Sequence, residues 1–253
     1  MKNWTKPEKT LYFAALTFSV FLGLAENVSA MHIMEGYLPL VHCILWGIIC
    51  LPFAAHGLIT LKHTSREKPQ TMILLAMSGA FIFVVSSLKI PSVTGSCSHM
   101  TGTGLSAILF GVSSASVLGI IVLIFQAILL AHGGVTTLGA NTFSMAIAGP
   151  ALAFLIYQLG RKGNFNRKVT VFFAAALGNI FTYCITSLQL ALASPSQEGG
   201  ILLSAGKFLG VFAPTQLPLA VVEGLITVLV VMGMENFALP ELKALGFIGK
   251  EDR

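Results

Sequence analysis

Charge is what this sequence has least of. Of its 253 residues 10% are charged and 55% hydrophobic, against about 25% charged in ordinary soluble domains. That scarcity excludes a soluble globular chain. With mean hydropathy at +0.84, it leaves an integral membrane protein of one compact domain with several helices, each needing about 20 apolar residues to cross. Cysteine is sparse as well: Cys43, Cys50, Cys97 and Cys184 lack the paired spacing of a zinc knuckle or a disulfide framework. Cys43, Cys50 and Cys184 fall in apolar runs and read as small core residues. No GxxxxGKS/T phosphate loop occurs, because Gly206-Lys207 is followed by Phe208 and lacks the upstream glycine. The chain therefore does not energise transport by that ATPase route. HExxH and GxSxG are missing too, which argues against a membrane hydrolase.

What is present begins with a signal-like segment. Lys2, Lys6 and Lys9 precede an apolar run from Leu11 to Ala25, and Glu26-Asn27-Val28-Ser29-Ala30 follows. Val28 and Ala30 stand at the −3 and −1 positions of a small-residue cleavage site. Residues 1–30 are thus expected to be a cleavable signal peptide and 31–253 a single transmembrane domain; the alternative is an uncleaved first helix with Met31 as a linker residue. Cleavage after Ala30 makes Met31 a free N-terminus with His32 second. Such an end is a chelator, because the α-amine, the His32 amide nitrogen and the His32 imidazole close fused rings around one divalent ion.

Apolar runs then occupy about 38–61, 70–90, 103–131, 140–160, 169–193 and 201–234. The formal charge of +5 lies largely in short loops, where Lys and Arg fix topology. Lys62, Arg66 and Lys68, and then Arg161, Lys162, Arg167 and Lys168, mark cytoplasmic loops. A processed N-terminus starts outside, so the 91–102 loop is outside and 161–168 inside. That parity requires an odd number of crossings between them. The 103–131 run has 29 residues and is interrupted at Gly111-Val112-Ser113-Ser114-Ala115-Ser116. Dividing it into two short helices gives an all-α bundle of about seven transmembrane helices with a cytoplasmic C-terminus. The alternative is one long tilted helix plus a re-entrant segment.

Six histidines carry most of the candidate chemistry. His63 sits in a basic loop and reads as solvated; His42 and His56, on the first mature span, read as buried hydrogen-bonding residues rather than ligands. His99 lies in the small, polar stretch Pro91 to Gly104, whose backbone lipid cannot satisfy. As a loop histidine it floats in water; as a ligand it adds a fourth nitrogen to the three from Met31 and His32. Four nitrogens in a plane suit Cu(II) or Ni(II), and low-spin Co(II) accepts the same set, whereas Zn(II) prefers a tetrahedron. The break His132-Gly133-Gly134-Val135-Thr136-Thr137-Leu138-Gly139-Ala140-Asn141 either turns the chain or supports the terminus from behind. His132 and Asn141, with Ser98 beside His99, are expected in that supporting role, not as direct ligands. Glu35 either ligates or acts electrostatically. Glu223 lies in the last apolar run, where an acid is costly unless paired; Lys207, a backbone group or a partner subunit are its candidates.

Met31-His32-Ile33-Met34-Glu35-Gly36-Tyr37-Leu38-Pro39 resembles the start of mature CbiM proteins, the cobalt-binding membrane components of energy-coupling-factor transporters, related to nickel-specific NikM proteins. The Pro91–Gly104 stretch with His99 and the segment His132 to Phe143 extend the resemblance over essentially the mature chain. NikM-type proteins typically read Pro-Asp-Gly where this chain has Met34-Glu35-Gly36, which leans towards cobalt. The resemblance implies a seven-helix substrate-binding subunit that captures Co²⁺, with no prosthetic group, for cobalamin synthesis. It implies as partners a CbiQ-like transmembrane coupling subunit, CbiO-like cytoplasmic ATPases and a small CbiN-like membrane subunit. It also carries the ligand set over to Met31, His32 and His99. A nickel importer subunit, a stand-alone metal carrier or channel, and an intramembrane metalloenzyme are the competing readings.

Overall fold

The computed structural model describes residues 32–91 and 97–248. The signal segment 1–30 and Met31 therefore lie outside the described residues. Among the described residues six helical stretches are long and apolar enough to cross a membrane. These are α1 (Leu40–Glu67), Pro69–Ser87 with α2 (Met72–Ser87), α4 (Val112–Leu129), α5 (Leu138–Lys162), α6 (Arg167–Ala193) and α7 (Gly200–Phe237). The short α3 (Thr103–Phe110) precedes α4, and α8 (Leu239–Leu245) follows α7. The only departure from helix among the described residues' regular elements is a two-residue antiparallel ladder, β1 (Ile90–Pro91) with β2 (Cys97–Ser98). Large apolar side chains such as Leu40, Ile44, Ile48, Ile128, Leu202 and Leu229 face outward, as a helix bundle in lipid requires.

The interior is built from small residues, which let backbones approach closely. Ala174, Ala175, Ala176 and Gly178 of α6 are all buried, so this run packs internally. Gly104 opens α3 against it, and a methyl there would meet Ala175 Cα at 3.2 Å. Gly57 of α1 faces α4 so closely that an added methyl would collide with the Ser113 carbonyl oxygen. Gly57→Ala is accordingly expected to cost about 1–3 kcal/mol by forcing the helices apart, read as a lower Tm of the detergent-solubilised protein.

The break expected in 103–131 is at Gly111, which holds φ 83° and ψ 167°. That conformation is open to glycine and strained for other residues, so α3 stops after eight residues. At ~1.5 Å per residue it is only ~12 Å long, less than half the ~30 Å apolar core of a bilayer. The non-helical stretch 99–102 leads into it. Leu109 and Phe110 reach the basic segment, sharing a cavity with His63, Thr64, Glu67 and Lys68. Arg161, Arg167 and Phe247 line another cavity at the ends of α5 and α6, and Arg167 pairs with Glu235 at 2.9 Å. Basic loops and α8 thus gather at one end of the bundle. From Gly111 there, α4 climbs 18 residues and delivers His132 to the opposite end.

Candidate metal centre

Three loops meet at that opposite end, each contributing one histidine. The turn-rich 32–39 segment brings His32, the 97–102 loop His99 and the α4–α5 turn His132. One ring nitrogen from each lies within 4.8 Å of the others, and all three residues are buried. Ring centroids are 4.4 Å apart for His32–His99, 4.4 Å for His32–His132 and 4.9 Å for His99–His132.

Each loop is fixed by hydrogen bonds that leave at least one nitrogen of every imidazole without a partner. Asn141 Oδ1 accepts from the Ile33 amide at 2.8 Å, and its Nδ2 donates to the Ile33 carbonyl at 3.0 Å. Thr137 Oγ1 donates to the same carbonyl at 2.6 Å. Asn141 therefore grips the backbone one residue past His32 and holds the start of the described chain in register. Glu35 is exposed and accepts from the Thr136 amide at 3.2 Å and from the Thr136 hydroxyl. These bonds hold its carboxyl below the usual range; it ties the 32–39 segment to the 132–141 loop rather than joining the imidazoles. Glycines make this fit. A methyl on Gly134 would strike Glu35, and one on Gly133 would meet the Asn141 amide at 3.2 Å and His32 Cβ at 3.5 Å.

The His99 loop is anchored from α6 and α7. Glu223 accepts from the Thr101 amide (2.7 Å), the Thr101 hydroxyl (2.7 Å), the Gly102 amide (2.8 Å) and Asn179 Nδ2 (2.5 Å). Gln216 Nε2 donates to the His99 carbonyl at 3.1 Å and to Asn179 Oδ1 at 2.5 Å. Ser98 shares a 2.7 Å hydrogen bond with Thr215, so it secures the loop to α7. A buried non-helical backbone is tolerated inside a membrane protein only when its polar groups are satisfied in this way. Of the three partners weighed for Glu223, a backbone group is the one found. The parts played by Asn179 and Gln216 were missed from sequence; polar side chains within apolar helices were the available signal.

The chemistry of the donors follows. His99 Nδ1 donates to the Met100 carbonyl at 2.8 Å, which fixes the tautomer and leaves Nε2 with a free lone pair. That Nε2, both ring nitrogens of His32 and both of His132 are buried without a hydrogen-bond partner. Of these five buried atoms three carry lone pairs, one per neutral ring, that an ion could take, and two are N–H groups on His32 and His132. Burial, then the neighbouring His99 and His132 rings, holds His32 well below the usual imidazole range. Burial pulls His99 to about 4 and, with His99 beside it, His132 to about 2. The rings stay neutral and ready to ligate near pH 7.

A stability consequence has a definite sign. An unfolded histidine takes its proton near pH ~6.5, while folded His99 waits until about 4. Above ~6.5 both states are neutral and nothing is gained or lost. As pH falls below that value the unfolded chain binds protons first, so stability declines by up to ~1.4 kcal/mol per pH unit for each such histidine. Thermal melts of metal-free protein are expected to show Tm falling over this window. A His99→Asn/His132→Asn double variant is expected to lose most of that slope.

Membrane-length helices with three buried imidazoles clustered at one end define a multi-pass membrane protein with a candidate metal site. Residues 32–239 match the CbiM family model, described as the cobalt uptake substrate-specific transmembrane region, and the chain belongs to this family. The cobalt transport protein CbiM of Lachnoclostridium phytofermentans is 59% identical over 96% of this chain and 97% of its own length. That of Chlorobium limicola is 53% identical over 94% of this chain and 96% of its own. A crystal structure of a transition metal transporter superposes with TM-score 0.71 at 25% identity, covering 81% of this chain and 93% of the other. A truncated transition metal transporter gives TM-score 0.69 at 25% identity, covering 81% and 99%.

Proposed function

We propose that this chain is the Co²⁺-capturing membrane subunit of an ATP-driven energy-coupling-factor importer. Cleavage after Ala30 frees the Met31 amine. That amine, the His32 amide nitrogen, a His32 ring nitrogen and His99 Nε2 then hold the ion at the extracytoplasmic face. The observation that carries this reading is the convergence of His32 and His99, with His132, as buried imidazoles whose lone pairs have no partner. The basic loops at the opposite end support the orientation, since Lys and Arg are retained on the cytoplasmic side. Family membership supports cobalt as cargo.

The chain itself hydrolyses nothing. CbiO-like ATPases act through a CbiQ-like coupling subunit and a small CbiN-like subunit to reorient it and release the ion inward. The supply of cobalt to cobalamin synthesis follows from the resemblance. Reconstitution tests the class directly. Co²⁺ is expected to accumulate in proteoliposomes only when all subunits and ATP are present. Uptake by this chain alone without ATP would make it a passive carrier.

A further inference from the structure

We infer that the cavity at the basic ends of α5 and α6 is a binding site for the phosphate of an anionic phospholipid, held by Arg161, Asn164 and the Tyr157 hydroxyl. The cavity measures about 410 Å³, within the range of small-molecule sites. No acid is among its described lining residues. Arg161 stands in the last turn of α5 and Arg167 opens α6, so two guanidinium groups and the positive end of a 27-residue helix border one space.

The two arginines differ. Arg167 is committed: its Nη1 donates to Glu235 at 2.9 Å, and its guanidinium carbon lies 5.7 Å from the centre of the Phe247 ring. Arg161 has no acidic partner among the described residues, whose ion pairs are His63–Glu67 and Arg167–Glu235. Its guanidinium presents a planar fork of N–H donors, which matches the oxygens of a phosphate.

Tyr157 is the observation that points to a ligand. It is only 4% exposed and lines the cavity, yet its hydroxyl makes no hydrogen bond to any described residue. Stacking on Phe247, with centroids 5.5 Å apart and planes 4° from parallel, fixes the ring. Buried tyrosine hydroxyls ordinarily find a partner; this one is left for whatever fills the cavity. Arg161 follows it by four residues, so hydroxyl and guanidinium rise from the same face of α5. In the turn to α6, Asn164 adds a third polar side chain to the wall. Its φ of 53° is a left-handed conformation that asparagine tolerates.

The rim argues for a lipid rather than a soluble phosphate. Phe165 lines the same cavity and is 71% exposed. Leu159 and Val169, on the adjoining turns of α5 and α6, are exposed as well. Large apolar side chains beside a basic loop mark the level where headgroups meet acyl chains, and basic pockets between spans hold anionic headgroups there. A soluble phosphate gains nothing from these three residues, whereas a phospholipid lays its chains against them.

Native mass spectrometry of the delipidated full chain in detergent tests this, with phosphatidylglycerol, phosphatidylcholine and diacylglycerol as probes. One phosphatidylglycerol is expected to bind at least about tenfold more tightly than either of the others. Tyr157→Phe, which keeps the ring stack, is expected to weaken it about fivefold and Arg161→Gln about tenfold, with Tm of the lipid-free protein unchanged. Lys162→Gln makes the same charge change one residue outside the cavity and is expected to alter affinity by less than about twofold. Equal losses in Arg161→Gln and Lys162→Gln, or equal binding of the three probes, overturn the site in favour of a generally basic surface. Unchanged affinity in Tyr157→Phe overturns the role of the hydroxyl. Displacement of phosphatidylglycerol by millimolar inorganic phosphate overturns the lipid and makes this a site for small anions.

Discussion

Replacing His99 by alanine is expected to weaken Co²⁺ binding by at least about a hundredfold, since even partners one step behind a ligand are each worth about 10–100-fold. The physical reason is specific to this ring. Its Nδ1 is committed to the Met100 carbonyl, so Nε2 is its sole free donor, and no other described side chain occupies that loop position. The fold is expected to survive, because the 97–102 loop is held by its backbone and by Ser98 and Thr101, not by the imidazole. Calorimetric titration of the variant, with circular dichroism to confirm helicity, reads the effect. Full-affinity cobalt binding by a folded His99→Ala protein would remove this residue from the site.

Glu223→Ala is expected to do more damage, and of a different kind. It strips the acceptor from two backbone amides, one hydroxyl and the Asn179 amide in a single step. Each buried donor left without a partner costs about 1–3 kcal/mol. Gly102, at φ 68°, is expected to lose its fixed geometry, carrying His99 with it. Metal binding and thermal stability are therefore expected to fall together, whereas His99→Ala lowers binding alone. Glu223→Gln keeps one acceptor oxygen and adds a competing donor, so an intermediate loss of both is expected. Melting and Co²⁺ titration on the same three preparations separate these patterns; a Glu223→Ala protein with unaltered Tm and affinity would contradict the anchoring role.

How far the sequence alone reaches is visible in these same residues. The helical runs were legible because lipid demands long apolar segments, and the interruption at Gly111 because a Gly-Ser cluster breaks an otherwise continuous one. The need for something unusual at His99 was legible too, since a polar loop next to spans must be satisfied somewhere. What satisfies it was not. Glu223 lies 122 residues from Thr101, and nothing in a chain sets the register between a loop and a helix so far apart. His132 shows the same limit. Spacing placed it beside the site as a supporting residue, while only the assembled loops reveal three rings around one volume. Glu35 went the other way: its position four residues from Met31 left ligation open, and Thr136 holds its carboxylate instead.

The proposed capture set requires a Met31 amine freed by cleavage after Ala30, and one binding measurement tests that requirement. Co²⁺ titration of the wild-type protein is compared with titration of a Val28→Arg/Ala30→Arg form whose cleavage is blocked, the N-terminus of each being established by sequencing. Every residue from Met31 onward is the same in both. The processed protein is expected to bind one Co²⁺ per chain, and the blocked protein at least about a hundredfold more weakly, because its Met31 nitrogen is an amide. Equal affinity in the two forms would contradict the account.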